Sequence, residues 1–89
     1  MHLGQLVATR GVANEMESSI GFALEVIHAL ERYLRHDWGD VCPEDKELND
    51  EALQLGNRLL GAYETRKGKI WVITEWDRSV TTILFPSEY

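Results

Sequence analysis

The chain has 89 residues, of which 44% are hydrophobic and 27% charged, so it is too apolar for a disordered segment and too short for a second hydrophobic core. Its formal net charge of −6 argues against direct nucleic-acid binding, which needs a basic patch to neutralise phosphates. No apolar run approaches the roughly 20 residues of a membrane span, and the first residues lack the pattern of a secretion signal. The single cysteine, Cys42, offers no disulfide framework. We therefore expect one domain over residues 1–89, located in the cytoplasm and not in a membrane.

The first part of the chain predicts a strand followed by one long helix. Residues 3–9 are β-prone and end before Gly11. Asn14 and Glu17 resemble a capping box, so a helix is expected from Ser18 or Ser19 to Arg35. Its predicted inner stripe recurs at steps of three and four: Ile20, Ala23, Leu24, Ile27, Leu30 and Leu34. A second set broadens this apolar arc and suggests a further packing partner: Phe22, Val26, Ala29 and Tyr33.

The second part predicts one shorter helix and three strands. Pro43 suits the first turn of a helix and Gly56 its end, with Leu48, Ala52 and Leu55 as the expected inner face. Short turns then connect the predicted strands 58–64, 69–75 and 80–85 into antiparallel hairpins. The fold class is therefore α+β, with an antiparallel sheet of about four strands, two helices on one face and the order β-α-α-β-β-β.

Aromatic residues are assigned mostly to the core, among them Trp38 and Trp76. Trp71 alternates with Ile70 and Val72 along a strand, so it is expected on the opposite face of the sheet. An apolar sheet face without helices would form a partner surface. Homodimerisation through the sheet or its edge is one alternative that this pattern leaves open.

Residues 37–51 carry all of the net charge. Seven of the 15 acids and one of the nine bases lie there, and the rest of the chain has eight of each. Glu44, Glu47 and Glu51 recur at steps of three and four and share one side of the predicted helix. Like charges at this spacing repel, so the segment is either a solvated face or a surface for a basic partner. The candidate partner-binding residues are Asp37, Asp40, Glu44, Asp45, Glu47, Asp50 and Glu51.

Two other segments contain residues that could carry chemistry. His36, Asp37, Asp40 and Cys42 could bind a metal, but their spacing matches no metal motif, and a helix end with Asp40 as a cap explains them. Glu75 and Asp77 could act as an acid–base pair, but a hairpin turn does not make their side chains converge. The alternative there is a turn stabilised by Asp77 and Ser79, with Arg78 paired to a helix carboxylate. We expect no catalytic residue, metal or cofactor.

Five segments together resemble a family of small proteins from bacterial plasmids, integrative elements and phages: "LGQLVATRGV", "DWGD", "EDKELND", "RLLGAYE" and "KIWVITEWDRSVTTILFPSEY". Some small acidic proteins of such elements are anti-CRISPR inhibitors, and this chain is similar to them in size and charge. The resemblance implies a non-enzymatic anti-defence protein. Its acidic surface would occupy the basic, nucleic-acid-binding surface of a CRISPR effector subunit and block target DNA.

Two alternatives to this function stay open. One is a general interaction or regulatory protein of a mobile element. The other is a small enzyme or metal protein that uses His36, Asp37, Glu75, Asp77 or Arg78.

Overall fold

The computed structural model describes residues 2–89, which form a four-stranded sheet, three α-helices and one short 3-10 turn. The elements in chain order are β1 (Gln5–Ala8), α1 (Arg10–Ser18), α2 (Ile20–Leu34), α3 (Pro43–Leu55), β2 (Leu59–Thr65), β3 (Gly68–Thr74), β4 (Val80–Leu84) and the 3-10 turn Pro86–Glu88. The α+β class and the four predicted strands are confirmed, each strand to within about two residues.

The sheet is mixed, whereas the sequence predicted an antiparallel one. Its strand order is β1-β4-β3-β2; β2, β3 and β4 form antiparallel hairpins, and β1 pairs parallel to β4. Parallel strands cannot be joined by a tight turn, and here three helices and strands β2 and β3 lie between β1 and β4 in the chain. The direction of β1 relative to β4 depends on the path of all these elements, which the residues of a four-residue strand do not encode.

Helix α1 was not predicted. Asn14 and Glu17 lie inside this helix, so the expected capping box is wrong. The cap of α2 is Ser19, whose Oγ accepts a hydrogen bond from the backbone N–H of Phe22 at 3.2 Å. Because Ser19 has an extended backbone with φ of −144°, it separates two helices where one was expected. The predicted start of the long helix at Ser18 or Ser19 is confirmed.

The core side of α2 is centred on the residues predicted only to broaden its apolar arc, and of the predicted inner stripe Leu30 packs against the core while four residues do not. Phe22, Val26, Ala29 and Tyr33 are each at most 3% exposed and form the centre of the core. Ile20, Leu24, Ile27 and Leu34 point to solvent. Both sets have helical spacing, so periodicity alone cannot choose between them. The larger aromatic side chains of the first set fill the space above the sheet, where the Tyr33 hydroxyl also finds a partner in Thr74.

Helix α3 begins at Pro43 and ends at Gly56, as predicted. Gly56 adopts the left-handed conformation with φ of 75°, and its N–H bonds the carbonyl of Ala52. The predicted inner face is wrong in two of its three residues, since Leu48 and Leu55 are 60% and 69% exposed. Asn49 lies inside with Ala52, because it bonds the edge of the sheet.

The three helices cover one face of the sheet. Strand residues that alternate along the sheet join the helix residues in one core cluster: Leu59, Tyr63, Ile70, Val72 and Ile83. The opposite face, which carries Leu60, Trp71 and Ile73, is covered in part by Tyr89, whose ring packs edge-on against Trp71. Trp71 thus lies away from Ile70, as predicted. Among the residues assigned to the core, Trp38 is buried, but Trp76 is 68% exposed on the β3–β4 turn.

Candidate partner-binding surface

The outward side of α3 presents three glutamates in a row. Glu44, Glu47 and Glu51 are exposed and follow one another at steps of three and four, so they lie on one side of the helix. Asp40 and Asp45 flank them near the helix start. We call these five residues the acidic face: Asp40, Glu44, Asp45, Glu47 and Glu51. Across residues 2–89, none of the five takes part in an ion pair.

Two of the seven candidate residues have structural partners instead. Asp37 accepts a hydrogen bond from Arg32 Nε at 2.8 Å and another from the N–H of Gly39. The Arg32 guanidinium, with help from that N–H, lowers the pKa of the Asp37 carboxyl. Asp50 accepts from the indole Nε1 of Trp38 at 3.1 Å. Both carboxylates therefore fix the segment before α3, and their charges are partly engaged within the chain.

Two leucines that the sequence predicted on the inner face of α3 border the acidic face instead. Leu48 follows Glu44 by four residues, and Leu55 follows Glu51 by four, so each leucine lies beside a glutamate on the helix surface. Their exposure gives the surface apolar positions as well as charges. The spacing of Leu48, Ala52 and Leu55 predicts that all three lie on the inner face of α3. Only the packing of Asn49 shows that the helix is rotated so that the two leucines face outward.

Helix α3 is held at the edge of β2 by side chains that bond backbone groups. The Asn49 amide donates to the carbonyl of Leu60 at 2.7 Å and accepts from its N–H at 3.1 Å. At the other end, Arg78 donates to the carbonyls of Ala52 and Asn57 at 3.0 and 2.7 Å. An edge strand and a helix end both leave backbone N–H and C=O groups without partners. These bonds satisfy some of those groups. The acidic face is thus carried by a positioned helix.

The residues around His36 do not form a metal site. His36 stacks on Trp38 with 5.6 Å between the ring centroids, and Cys42 Sγ contacts Glu44 Oε2 at 3.8 Å. Throughout residues 2–89, no three His, Cys, Asp or Glu side chains are placed to hold a metal ion. Asp40 does not cap α3, because the N-cap is Cys42, and instead its N–H bonds the carbonyl of Ala62. The expected cap at Asp40 is therefore wrong.

The turn between β3 and β4 also lacks the geometry of an acid–base site. Glu75 lies 3.7 Å from Arg58, and Asp77 accepts from both the hydroxyl and the N–H of Ser79. The Ser79 hydroxyl is the main reason why the pKa of Asp77 is lowered. The predicted stabilisation of this turn by Asp77 and Ser79 is confirmed. Arg78 bonds helix carbonyls and not the helix carboxylate that was expected.

The helix-free face of the sheet has a shallow apolar cleft of about 350 Å³. It is lined by Arg58, Leu60, Trp71, Ile73 and Tyr89. Arg58 donates to the Tyr89 hydroxyl at 2.7 Å and lies over the Tyr89 ring. These two contacts hold the Tyr89 side chain across the sheet. The cleft contains one guanidinium and no acid–base pair.

No helix within residues 2–89 combines the length and the apolar character needed to cross a bilayer. No model of a known protein family, no curated protein and no solved structure matches this chain.

Proposed function

We propose that this protein is a non-enzymatic, cytoplasmic inhibitor that binds the basic, nucleic-acid-binding surface of a partner protein through the acidic face of α3. The observation that carries the proposal is the row of exposed carboxylates Glu44, Glu47 and Glu51, which no cation of residues 2–89 neutralises. Following the resemblance to mobile-element proteins, the proposed partner is a CRISPR effector subunit, and the proposed activity is anti-CRISPR inhibition.

The charge density of the acidic face suits a surface that normally binds DNA. From Glu44 to Glu51 the helix axis rises about 10 Å at roughly 1.5 Å per residue, so three carboxylates fall within that length. A DNA strand carries one phosphate per ~3.4 Å of helix axis, so the glutamates, about 5 Å apart along the helix axis, are somewhat more widely spaced than phosphates. A row of lysines or arginines arranged for phosphates would still meet a comparable number of negative charges on α3.

The energetics favour binding of a cationic partner. Each like-charged pair at this helical spacing costs about 0.2–0.5 kcal/mol in the free protein, and a partner's cations relieve that repulsion. Complementary charge also accelerates encounter, an effect that weakens as salt shortens the Debye length to about 8 Å at physiological ionic strength. Leu48 and Leu55 supply apolar contacts beside the charges.

The test is a DNA-binding competition with purified, guide-loaded CRISPR effector complexes of several types. We expect the wild-type protein to prevent target-DNA binding by at least one of them, less effectively at higher salt. Glu47→Lys combined with Glu51→Lys should weaken inhibition by at least tenfold. The control is Glu17→Lys combined with Glu64→Lys, which changes the net charge equally at exposed positions away from α3 and gives up one exposed ion pair, Glu64 with Lys69 at 3.8 Å.

Equal inhibition by both double variants would overturn the role of the acidic face, and failure to inhibit any effector would overturn the anti-CRISPR proposal. Glu75→Gln and Asp77→Asn test the alternative of an enzyme. Neither change should affect inhibition, because Glu75 pairs with Arg58 before β2 and Asp77 bonds Ser79 in the β3–β4 turn, both away from α3.

A further inference from the structure

Helix α2 exposes a row of large aliphatic side chains on the side opposite the core. Ile20, Leu24, Ile27 and Leu34 are 81%, 51%, 48% and 44% exposed. We call these four residues the α2 stripe. They extend over about 21 Å of helix axis at roughly 1.5 Å per residue. The α2 stripe is separate from the acidic face, so it is argued and tested independently of the proposed function.

The spacing of the α2 stripe is that of a helix–helix seam. The steps Ile20 to Leu24 and Leu24 to Ile27 are four and three residues, and Leu34 lies one further heptad beyond Ile27. Glu31 occupies the remaining seam position between Ile27 and Leu34. Isolated exposed leucines are common on protein surfaces, but an aligned row on one helix marks an interaction surface.

We propose that a second copy of this chain covers the α2 stripe, with the two α2 helices antiparallel across a two-fold axis beside Ile27. Ile27 lies midway along the stripe between Ile20 and Leu34. A two-fold antiparallel arrangement therefore places Ile27 against itself and Ile20 against Leu34 of the second copy. Three of the four stripe residues meet a stripe residue of the second copy, as a two-fold interface requires, and Leu24 comes level with Leu30, which is half-buried against the core.

The charges along α2 select the antiparallel direction. A parallel pair would place Glu31 against Glu31 in the seam and Arg35 beside Arg35, so like charges would meet. In the antiparallel pair, Glu31 lies level with Ala23 of the second copy, whose small side chain leaves the carboxylate a path to solvent. In the antiparallel pair the two Arg35 residues lie at opposite ends of the helices, about 24 Å apart along the axis at roughly 1.5 Å per residue. Arg35 forms no ion pair within residues 2–89.

The area of the α2–α2 contact indicates how tightly the dimer forms. One helix pair over this length buries less than the roughly 800 Å² per partner of a standard stable interface. The dimer should therefore form in the micromolar concentration range and dissociate on dilution. This placement differs from the dimer through the sheet or its edge that the sequence left open, and Asn49 already bonds the outer edge of β2 at Leu60.

The first experiment is sedimentation velocity from low to high micromolar concentration. We expect the wild-type protein to shift from monomer to dimer, and Leu24→Glu combined with Ile27→Glu to weaken dimerisation at least tenfold. Leu48→Glu combined with Leu55→Glu is the control, because these two leucines are at least as exposed, at 60% and 69%, but lie on α3. Circular dichroism checks that each variant is folded. A wild-type protein that stays monomeric, or a dimer that persists in the α2 variant, would overturn the proposal.

A second experiment tests the direction of the helices by disulfide formation in a Cys42→Ser background. Ile27→Cys should link to itself, whereas Ile20→Cys and Leu34→Cys should each link poorly alone and efficiently when mixed with one another. Efficient self-linking of both Ile20→Cys and Leu34→Cys would indicate a parallel pair and overturn the antiparallel arrangement.

Discussion

Tyr33 begins a chain of buried hydroxyl groups that connects α2 to the sheet. Its hydroxyl lies 2.7 Å from Thr74 Oγ1, which lies 2.8 Å from Thr81 Oγ1, and Thr81 donates to the carbonyl of Leu3 at 2.7 Å. Because the carbonyl can only accept, Thr81 uses its proton there, so Thr74 donates to Thr81 and Tyr33 donates to Thr74. Burial raises the pKa of Tyr33 to about 12, so its hydroxyl keeps the proton that this chain needs.

Thr81→Val should therefore be destabilising although valine has nearly the same shape. It leaves the carbonyl of Leu3 without its donor and Thr74 without its acceptor, and a buried polar group without a partner costs about 1–3 kcal/mol. Thr82→Val is the control on the neighbouring position, where the side chain faces the helix-free side of the sheet. That change should stay within about 0.5 kcal/mol. Urea denaturation measures both values, and equal stability of the two variants would contradict the role of the hydroxyl chain.

At the scale of elements, the outer edge of β2 is closed by the segment before α3 as well as by Asn49. The N–H of Ala62 bonds the carbonyl of Trp38 at 2.9 Å, and its carbonyl accepts from the N–H of Asp40 at 2.7 Å. Between them, Gly39 pairs with Ala62 as a single parallel bridge at φ of 76°. A sheet edge that is occupied in this way is protected from pairing with another chain.

Gly39→Ala and Gly56→Ala form a matched pair that tests this closure. Both residues have φ near 75°, so each alanine pays roughly 1–2 kcal/mol for the left-handed conformation. A Cβ at Gly39 would also lie 2.0 Å from the carbonyl oxygen of Ala62, whereas a Cβ at Gly56 meets nothing within 4 Å. Overpacking should cost Gly39→Ala a further ~1–3 kcal/mol. Thermal or urea unfolding measures the difference, and similar losses in both variants would show that the close approach at Gly39 is unimportant.

At the scale of the whole molecule, the charge is concentrated on one side. Residues 37–51 carry the full net charge of −6, and the remaining acids and bases balance. The five ion pairs found within residues 2–89 include only one acid of that segment, Asp37. A chain of this size buries only a little over about 60% of its unfolded surface, so its free energy of unfolding is modest. Repulsion between unpaired carboxylates is therefore large enough to change that free energy noticeably.

Sodium chloride should consequently stabilise the monomer. Glu47 lies three residues after Glu44 and four before Glu51, so it takes part in both repulsive pairs. Screening these pairs is worth about 0.4–1 kcal/mol between low and high salt. Glu47→Gln should be more stable than wild type at low salt and lose most of the salt response, whereas Glu17→Gln should keep it. Denaturation at low protein concentration measures this, and a full salt response in Glu47→Gln would argue against repulsion on α3.

The sequence by itself determined the elements whose signals are local. Pro43 and Gly56 mark the ends of α3 because each acts on its own backbone angles, and Ser19 can start α2 because its acceptor reaches only three residues ahead. The hairpins β2–β3 and β3–β4 follow from short turns between β-prone runs. The row Glu44, Glu47 and Glu51 is likewise a consequence of helical spacing alone.

The tertiary structure decided the questions that depend on residues distant in the chain. Both apolar arcs of α2 have helical spacing, and the sheet selected the one with Phe22 and Tyr33, since these side chains fill its surface and Tyr33 reaches Thr74. The parallel pairing of β1 with β4 depends on the path of the helices and strands between them. The bonds of Asn49 to Leu60 rotated α3 so that Leu48 and Leu55 face solvent beside the acidic face. Local preferences act over a few residues, whereas a choice between two such faces depends on contacts that exist only after the chain has folded.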